Sequence, residues 1–357
     1  WTHRRDSKAS PTSNFSASVN LGSSSYFLQS VNQLNDANFL NNTLSSSVSY
    51  SKTFPKYPRV NISLTTSLSQ NTKTQTVNLT LPTFQANMER VFPFAPKTGT
   101  KKGFIQNINF QYSTRGESRI ITSEDFLFKK EMFEDARSGV SHSIPISTNF
   151  KVLKHLSIST SANYKEIWTP ETVRYNDYTE EAGVVKDTLK GFAAFREYNY
   201  SASMGTTIYG TFNFKEGSRL QSIRHTMRPS ISYSVQPSFE KYYDDYIIDA
   251  EGNTADYTRY ETALFGRPSL AKSKSMGISL SNNFEAKLTS KDSLDPEPKK
   301  IKILNNLNFS TGYDFNADDF NLAPIRITTG ASLFKDKVSV NLAATMDPYG
   351  IDENNVR

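Results

Sequence analysis

The sequence predicts an all-β fold, a transmembrane antiparallel β-barrel of which this chain forms a part. Three observations predict it. Apolar residues alternate with small hydroxylated ones at period two along much of the 357 residues. The polar half of that alternation is poor in charge. The connections sort into a mostly short set and a mostly long one.

The segments follow in chain order. TLSSSVSYSKTF, Thr43 to Phe54, sets Leu44, Val48, Tyr50 and Phe54 against Thr43, Ser45, Ser47, Ser49, Ser51 and Thr53, with Ser46 and Lys52 interrupting the apolar set. Next, Ile62, Leu64 and Leu68 oppose Asn61, Ser63, Thr65 and Ser67, and Val77, Leu79 and Leu81 oppose Asn78 and Thr80. Ile108, Phe110 and Tyr112 alternate with Asn107, Asn109 and Gln111; Leu156, Ile158, Ala162 and Tyr164 alternate with Ser157, Ser159, Ser161 and Asn163. LNFSTGYDF, IRITTGASL and VSVNLAATM repeat the pattern near the end. About 16 such segments result, most near the roughly 10 residues that a tilted strand needs to cross a bilayer.

Composition narrows the classes. Only 36% of the chain is apolar while 12% is aromatic, and the mean hydropathy is −0.54. That is thin for a water-soluble core of this size, yet too regularly patterned for disorder. No apolar run reaches the roughly 20 residues of a membrane helix, which leaves a strand-built membrane protein open. The chain shows no signal peptide and begins on Trp1, as a mature or internal fragment would. Cysteine is absent, which removes disulfides, thiolate metal sites and cysteine nucleophiles. The net charge of +6 is modest, and no nucleic-acid module accompanies it.

The short connections are expected around Gly22, Pro55–Pro58, Thr114–Gly116, Val152–Lys154, Lys215–Ser218 and Lys335–Lys337. The long ones are expected near 31–42, 92–102, 124–138, 169–196 and 236–273, all at the extracellular rim, with 1–357 as part of one barrel domain. The short turn at Asn71–Thr72 and the linker Asp292–Lys300 break the rule. Phe126, Phe133 and Ala136 fall near helical spacing, which predicts a short amphipathic helix. KYYDDYIIDAEGNTADY reads as a hairpin on a Gly-Asn turn. A cation held by Asp249 and Glu251 is one reading of that loop, and a solvated loop is the other.

A soluble β protein mixes Lys, Glu and Arg into its solvent face. Here that face is Ser, Thr and Asn, with exceptions such as Glu285, Lys287 and Arg326. Small neutral groups suit a hydrated lumen, so the Leu/Val/Tyr/Phe face is expected to look into lipid, with Tyr50, Tyr112, Tyr164, Tyr233 and Tyr313 near an interfacial belt. From alternation alone, a secreted β-sandwich or β-solenoid with a dry core is equally open. Pro55 and Pro58 are expected in a turn, Pro11 and Pro82 at strand edges, and Pro145 and Pro229 inside strands, where each removes a ladder bond.

Catalytic chemistry finds no foothold. His3, His142, His155 and His225 do not pair at ligand spacing, and no nucleophile elbow or phosphate loop appears. No cofactor is assigned. Arg224 and Arg228 share a parity with Ser230 and Ser232, which points them into the lumen. There they suit a phosphorylated ligand, because the guanidinium fork donates two hydrogen bonds. The alternative is an arginine pair that bridges luminal carboxylates or sits at the rim.

WTHRRDSKASPTSNFSASVN, SSSYFLQSVNQLNDANFLNNTLSSSVSYSKTFP, REYNYSASMGTTIYGTFNF and IRHTMRPSISYS resemble the barrel portion of the LPS-assembly protein LptD (OstA-like) family in its Bacteroidetes-type form. The resemblance implies the outer membrane of a Gram-negative bacterium. It implies lipopolysaccharide taken from a periplasmic bridge protein of LptA type, passed through the lumen and released through a lateral seam into outer-membrane lipid, with a plug lipoprotein of LptE type inside. It implies no enzyme activity. Prolines weaken the seam in this family; Pro11 is the nearest match, with Pro145 and Pro229 as further candidates. The family's periplasmic jelly-roll domain has no counterpart in these residues, and the family barrel has more strands. Another outer-membrane barrel, a porin or nutrient transporter, and a secreted soluble β adhesin are the competing readings.

Overall fold

The computed structural model describes residues 1–6, 8–23, 43–134, 136–289, 297–333 and 337–350. The alternating segments form strands: β1 (Thr2–Arg4), β2 (Ser13–Ser18), β3 (Thr43–Phe54), β4 (Val60–Asn71), β5 (Thr76–Val91), β6 (Asn109–Ser123), β7 (Arg137–Val152), β8 (Leu156–Tyr175) and β9 (Lys186–Gly205). They continue as β10 (Ile208–Asn213), β11 (Leu220–Gln236), β12 (Tyr243–Ile247), β13 (Thr254–Thr258), β14 (Ser273–Leu288), β15 (Lys299–Asp314), β16 (Ile325–Leu333) and β17 (Val338–Met346). The α-helices are short, α1 (Gly103–Gln106) and α2 (Lys130–Glu134). Among the described residues no helix is long and apolar enough to cross a membrane.

Strands β1 to β9, β11 and β14 to β17 lie side by side in that order, and β10 joins β11, giving one 15-stranded sheet. All its ladders are antiparallel. Among the described residues β12 and β13 pair only with each other, in the connection between β11 and β14.

The register shows what each face holds. Serine hydroxyls meet across strands on one face: Ser16 with Ser49, Ser161 with Ser201 and Ser230 with Ser279 at 2.7 Å, and Ser234 with Ser275 at 2.9 Å. Such pairs contribute about 0.2–1 kcal/mol each. The other face carries Val48, Tyr50, Leu64, Ile146, Met204, Ile231 and Ile278, all exposed. No second protein layer hides them, so lipid is the solvent that suits this face. Two covered patches lie at the rim of the 124–136 and 237–272 connections. On the apolar face, Leu68, Val77, Leu79 and Ile120 pack under Met132 of α2. On the hydroxyl face, Ile167 and Phe195 pack under Tyr260.

The apolar band slides through the register. One row runs Tyr50, Leu64, Phe84, Gly116, Val140, Trp168, and it is mid-band in β3 to β5. In β7 to β9 the band centres on Ile146, Ala162 and Tyr200, nearer the rim of the 153–155 turn. In β14 to β17 it centres on Leu280, Phe309, Ile327 and Ala344, nearer still. A horizontal band crossing the ladder obliquely is what strands tilted by roughly 35–45° produce in a barrel.

Several expectations are corrected. Thr114–Gly116 is not a turn but lies inside β6, where Gly116 pairs with Phe84 and Val140. Without that turn the count of crossings shifts, and the 92–102 connection falls on the same rim as the 55–59 and 153–155 turns. The 169–196 loop shrinks to 176–185, because β8 runs to Tyr175 and β9 starts at Lys186. The helix near 124–138 forms, but Met132 is its buried residue, while Phe126 and Phe133 stay exposed. Pro82 lies within β5 at a register shift. The hairpin on Gly252 and Asn253 forms as expected. All of 31–42, and residues 292–296 of the 292–300 linker, lie outside the described residues.

Candidate functional site: a hydroxyl-lined track with a basic foot

The site starts from a missing N–H. β9 and β10 keep one register along β11, yet the strand breaks at Thr206–Thr207. Thr206 N–H donates to Pro229 O at 3.2 Å. The reciprocal bond, from residue 229 to Thr206 C=O, cannot form because proline has no N–H. Beside this break opens a cavity of about 670 Å³. Lys151, Lys154, His155 and Arg228 surround it, Ser157, Ser203, Ser230, Ser279 and Ser281 supply hydroxyls, and among the described residues no carboxylate lines it. Arg224 stands next to it, with its guanidinium 4.9 Å from the centroid of Tyr209, a cavity residue. Glu285 is the register neighbour of Arg224, but among the described residues no ion pair joins them. The structure thus brings Arg228 together with Lys151, Lys154 and His155, and places Arg224 at the margin.

Ser159 and Ser203 also line a second cavity, of about 430 Å³, so the two adjoin. It extends over Ser147, Asn149, Ser161, Ser201 and Ser232, with Arg90 from the end of β5 and Lys101 from the connection between β5 and β6. A third, of about 240 Å³, follows along the same strands with Ser143, Asn163, Lys165, Asn199 and Gln236. Small hydroxyls and amides leave room, and they exchange hydrogen bonds with a passing polar group at little net cost.

The track ends under the 237–272 connection. Ile167 pairs with Phe195 on the same face, and Tyr242, Tyr260 and Phe265 pack against them. Tyr260 Oη donates to Ala194 O at 2.8 Å, and Arg137 donates to Thr262 O at 3.2 Å. Ser269 N–H donates to Glu197 at 2.8 Å. Glu261 accepts from Tyr175 Oη at 3.0 Å and from Lys186. Burial alone would raise the Glu261 carboxyl, but the bonds from Lys186 and Tyr175 outweigh it and hold it below the usual carboxylate range.

The prolines are placed differently from one another. Pro11 lies in the turn between β1 and β2 rather than in a ladder. Pro145 sits where the ladder between β6 and β7 skips from Phe110–Ile146 to Ser113–Ser143. Pro229 marks the break described above. Asp249 holds its own turn, accepting from Asn253 N at 2.9 Å and Asn253 Nδ2 at 2.7 Å. Among the described residues no group of His, Asp and Glu is arranged to hold a metal.

Two parts of the site escaped sequence reasoning. Lys151, Lys154 and His155 sit at another turn, and only the register sets them beside Arg228. The cap left a fainter signal: in EIWTPETV the alternation lapses, with Ile167 and Trp168 adjacent and both apolar, as in a strand covered on both faces.

Comparison with known proteins follows from this geometry. No curated protein sequence matches the chain. Among solved structures it is similar to a double mutant of the Serratia marcescens hemophore receptor HasR, solved in complex with its hemophore HasA and heme. Identity there is 8% and the TM-score 0.29, with 95% of this chain and 59% of that one covered. The family comparison is decisive, because the LptD protein family matches residues 1–349. This chain, an antiparallel sheet with a largely exposed apolar face and hydroxyl-lined cavities along the other, matched over residues 1–349, belongs to the LptD protein family.

Proposed function

We propose that the chain is the barrel part of an outer-membrane lipopolysaccharide translocon. The hydroxyl track carries the phosphorylated saccharide head group while the acyl chains stay toward lipid and leave by a lateral seam. Family membership supports lipopolysaccharide transport at the outer membrane, a carrier role with no bond made or broken by the protein. The observation that carries the finer reading is the adjacency of the cavities along one face. They share Ser159 and Ser203, and the foot holds Lys151, Lys154 and Arg228 with no carboxylate among the described residues that line it. Cations there favour phosphate entry from the short-turn rim, which this reading assigns to the periplasm. A bridge protein of LptA type would deliver the lipid, and a plug lipoprotein of LptE type would share the lumen. Pro11, in the turn beside edge strand β1, is the seam candidate nearest an end of the strand order.

Photo-crosslinking tests the reading. A photoreactive residue at Ser159, Ser203 or Ser230 is expected to capture labelled lipopolysaccharide during transport, and one at Ile158 or Ile278 only bulk lipid. Arg228→Ala, and to a lesser degree Arg224→Ala, should lower capture at Ser203 about tenfold, the scale of one charge-assisted hydrogen bond. Equal capture from both faces, or none from the serines, overturns the track.

A further inference from the structure

Strand β10 has one partner and two edges. Its residues pair with Ser222 to Met227 of β11, and among the described residues with nothing else. The bonds at its two ends set the alternation. Thr206 N–H donates to Pro229 O, and Phe214 N–H donates to Gln221 O. In an antiparallel ladder every second residue faces the partner, so Ile208, Gly210 and Phe212 bond to β11. Tyr209, Thr211 and Asn213 turn their N–H and C=O groups the other way. β8 would fill that side, but its ladder with β9 ends at Ser157–Gly205.

The contrast with β7 shows that the gap is specific. The lower part of β7 also outruns its neighbour β6, but α1 covers it, with Thr148 Oγ1 donating to Phe104 O at 2.9 Å and Phe104 against Phe150. Among the described residues nothing covers β10 in this way; Tyr209 is 60% and Phe212 65% exposed. The strand reads IYGTFN, without the lysine, proline or inward charge that protects a free edge.

We infer that the free edge of β10 docks an extended segment of a second polypeptide, added as a strand on the short-turn rim in line with β8. Only another extended backbone supplies alternating donors and acceptors at the spacing of Tyr209, Thr211 and Asn213. The slot is short, closed at one end by the turn at Leu153–Lys154. Lys154 and His155 stand there and suit an acidic residue at that end of the incoming segment.

Amide exchange tests this on the full chain. In the protein purified in detergent, the amides of Tyr209, Thr211 and Asn213 should exchange fast while those of Gly210 and Phe212 stay protected. In its native outer membrane the first set should slow at least about tenfold, as paired strand amides do. Equal rates in the two states overturn the inference. So does protection already present in the purified chain, which would mean that a segment of this chain fills the edge. Main-chain recognition is tested with a photoreactive residue at Asn213. Thr211→Ala should keep its crosslink to a second polypeptide, and Thr211→Pro, which removes an edge N–H but no bond to β11, should lose it. Loss in both variants or in neither, with the Phe212 amide still protected, refutes strand addition.

Discussion

Gly139 shows how much one absent side chain decides. A Cβ there would lie 3.2 Å from Trp168 O and 3.3 Å from both Leu264 Cβ and Phe265 Cδ2. The cap over the track fits because this position is bare. Gly139→Val should therefore push the 264–265 segment off the sheet at a cost of about 1–3 kcal/mol. Labelling of a Ser161→Cys variant by a water-soluble reagent from the capped rim should accelerate; an unchanged rate would show that the cap does not limit access. Glu261 adds a pH dependence. Its carboxyl is lower in the folded cap than in the unfolded chain, so its contribution is complete above the unfolded carboxylate range and is lost as pH falls through the folded value. Lys186 is 41% exposed, so screening limits the effect to about 0.5 kcal/mol. Acid should lower the protection of the cap amides, taken relative to the intrinsic exchange rate at each pH, and Glu261→Gln should flatten that response. Neither residue stood out in the sequence, because Gly139 and Glu261 matter through partners far away along the chain. Arg228 was legible, since parity alone set it on the serine face.

At the scale of elements, alternation found most strands, and their errors share one cause. Turn-forming residues suggest a connection at Thr114–Gly116, yet that stretch is held straight by ladders on both sides. The same holds where β8 and β9 continue past their alternating parts, as the Thr172–Leu189 and Arg174–Asp187 pairs show. Long-range pairing overrides local turn preference, and no single stretch of chain displays it. Pro229 is the opposite case, a local rule that was readable and correct. Pro229→Ala restores the N–H facing Thr206 C=O, and should join β9 to β10 and stabilise that junction by about 1 kcal/mol. Slow exchange of the amide regained at that position would confirm the join; fast exchange would assign the break to another cause.

For the whole molecule, the two faces make the broadest test. The chain has no cysteine, so single cysteines report cleanly. Val48→Cys, Leu64→Cys and Ile278→Cys should react with a lipid-soluble maleimide and resist a charged one, and Ser157→Cys and Ser201→Cys should do the reverse. The same rates for both sets would return the fold to the soluble sandwich. The oblique apolar band has a last consequence. A wall whose waterline steps down from strand to strand behaves like a spiral stair. Following one row of paired residues from strand to strand therefore climbs the wall, so whatever closes the circle must join the two outermost strands with a stagger in register. A doorway cut there would open on a slant.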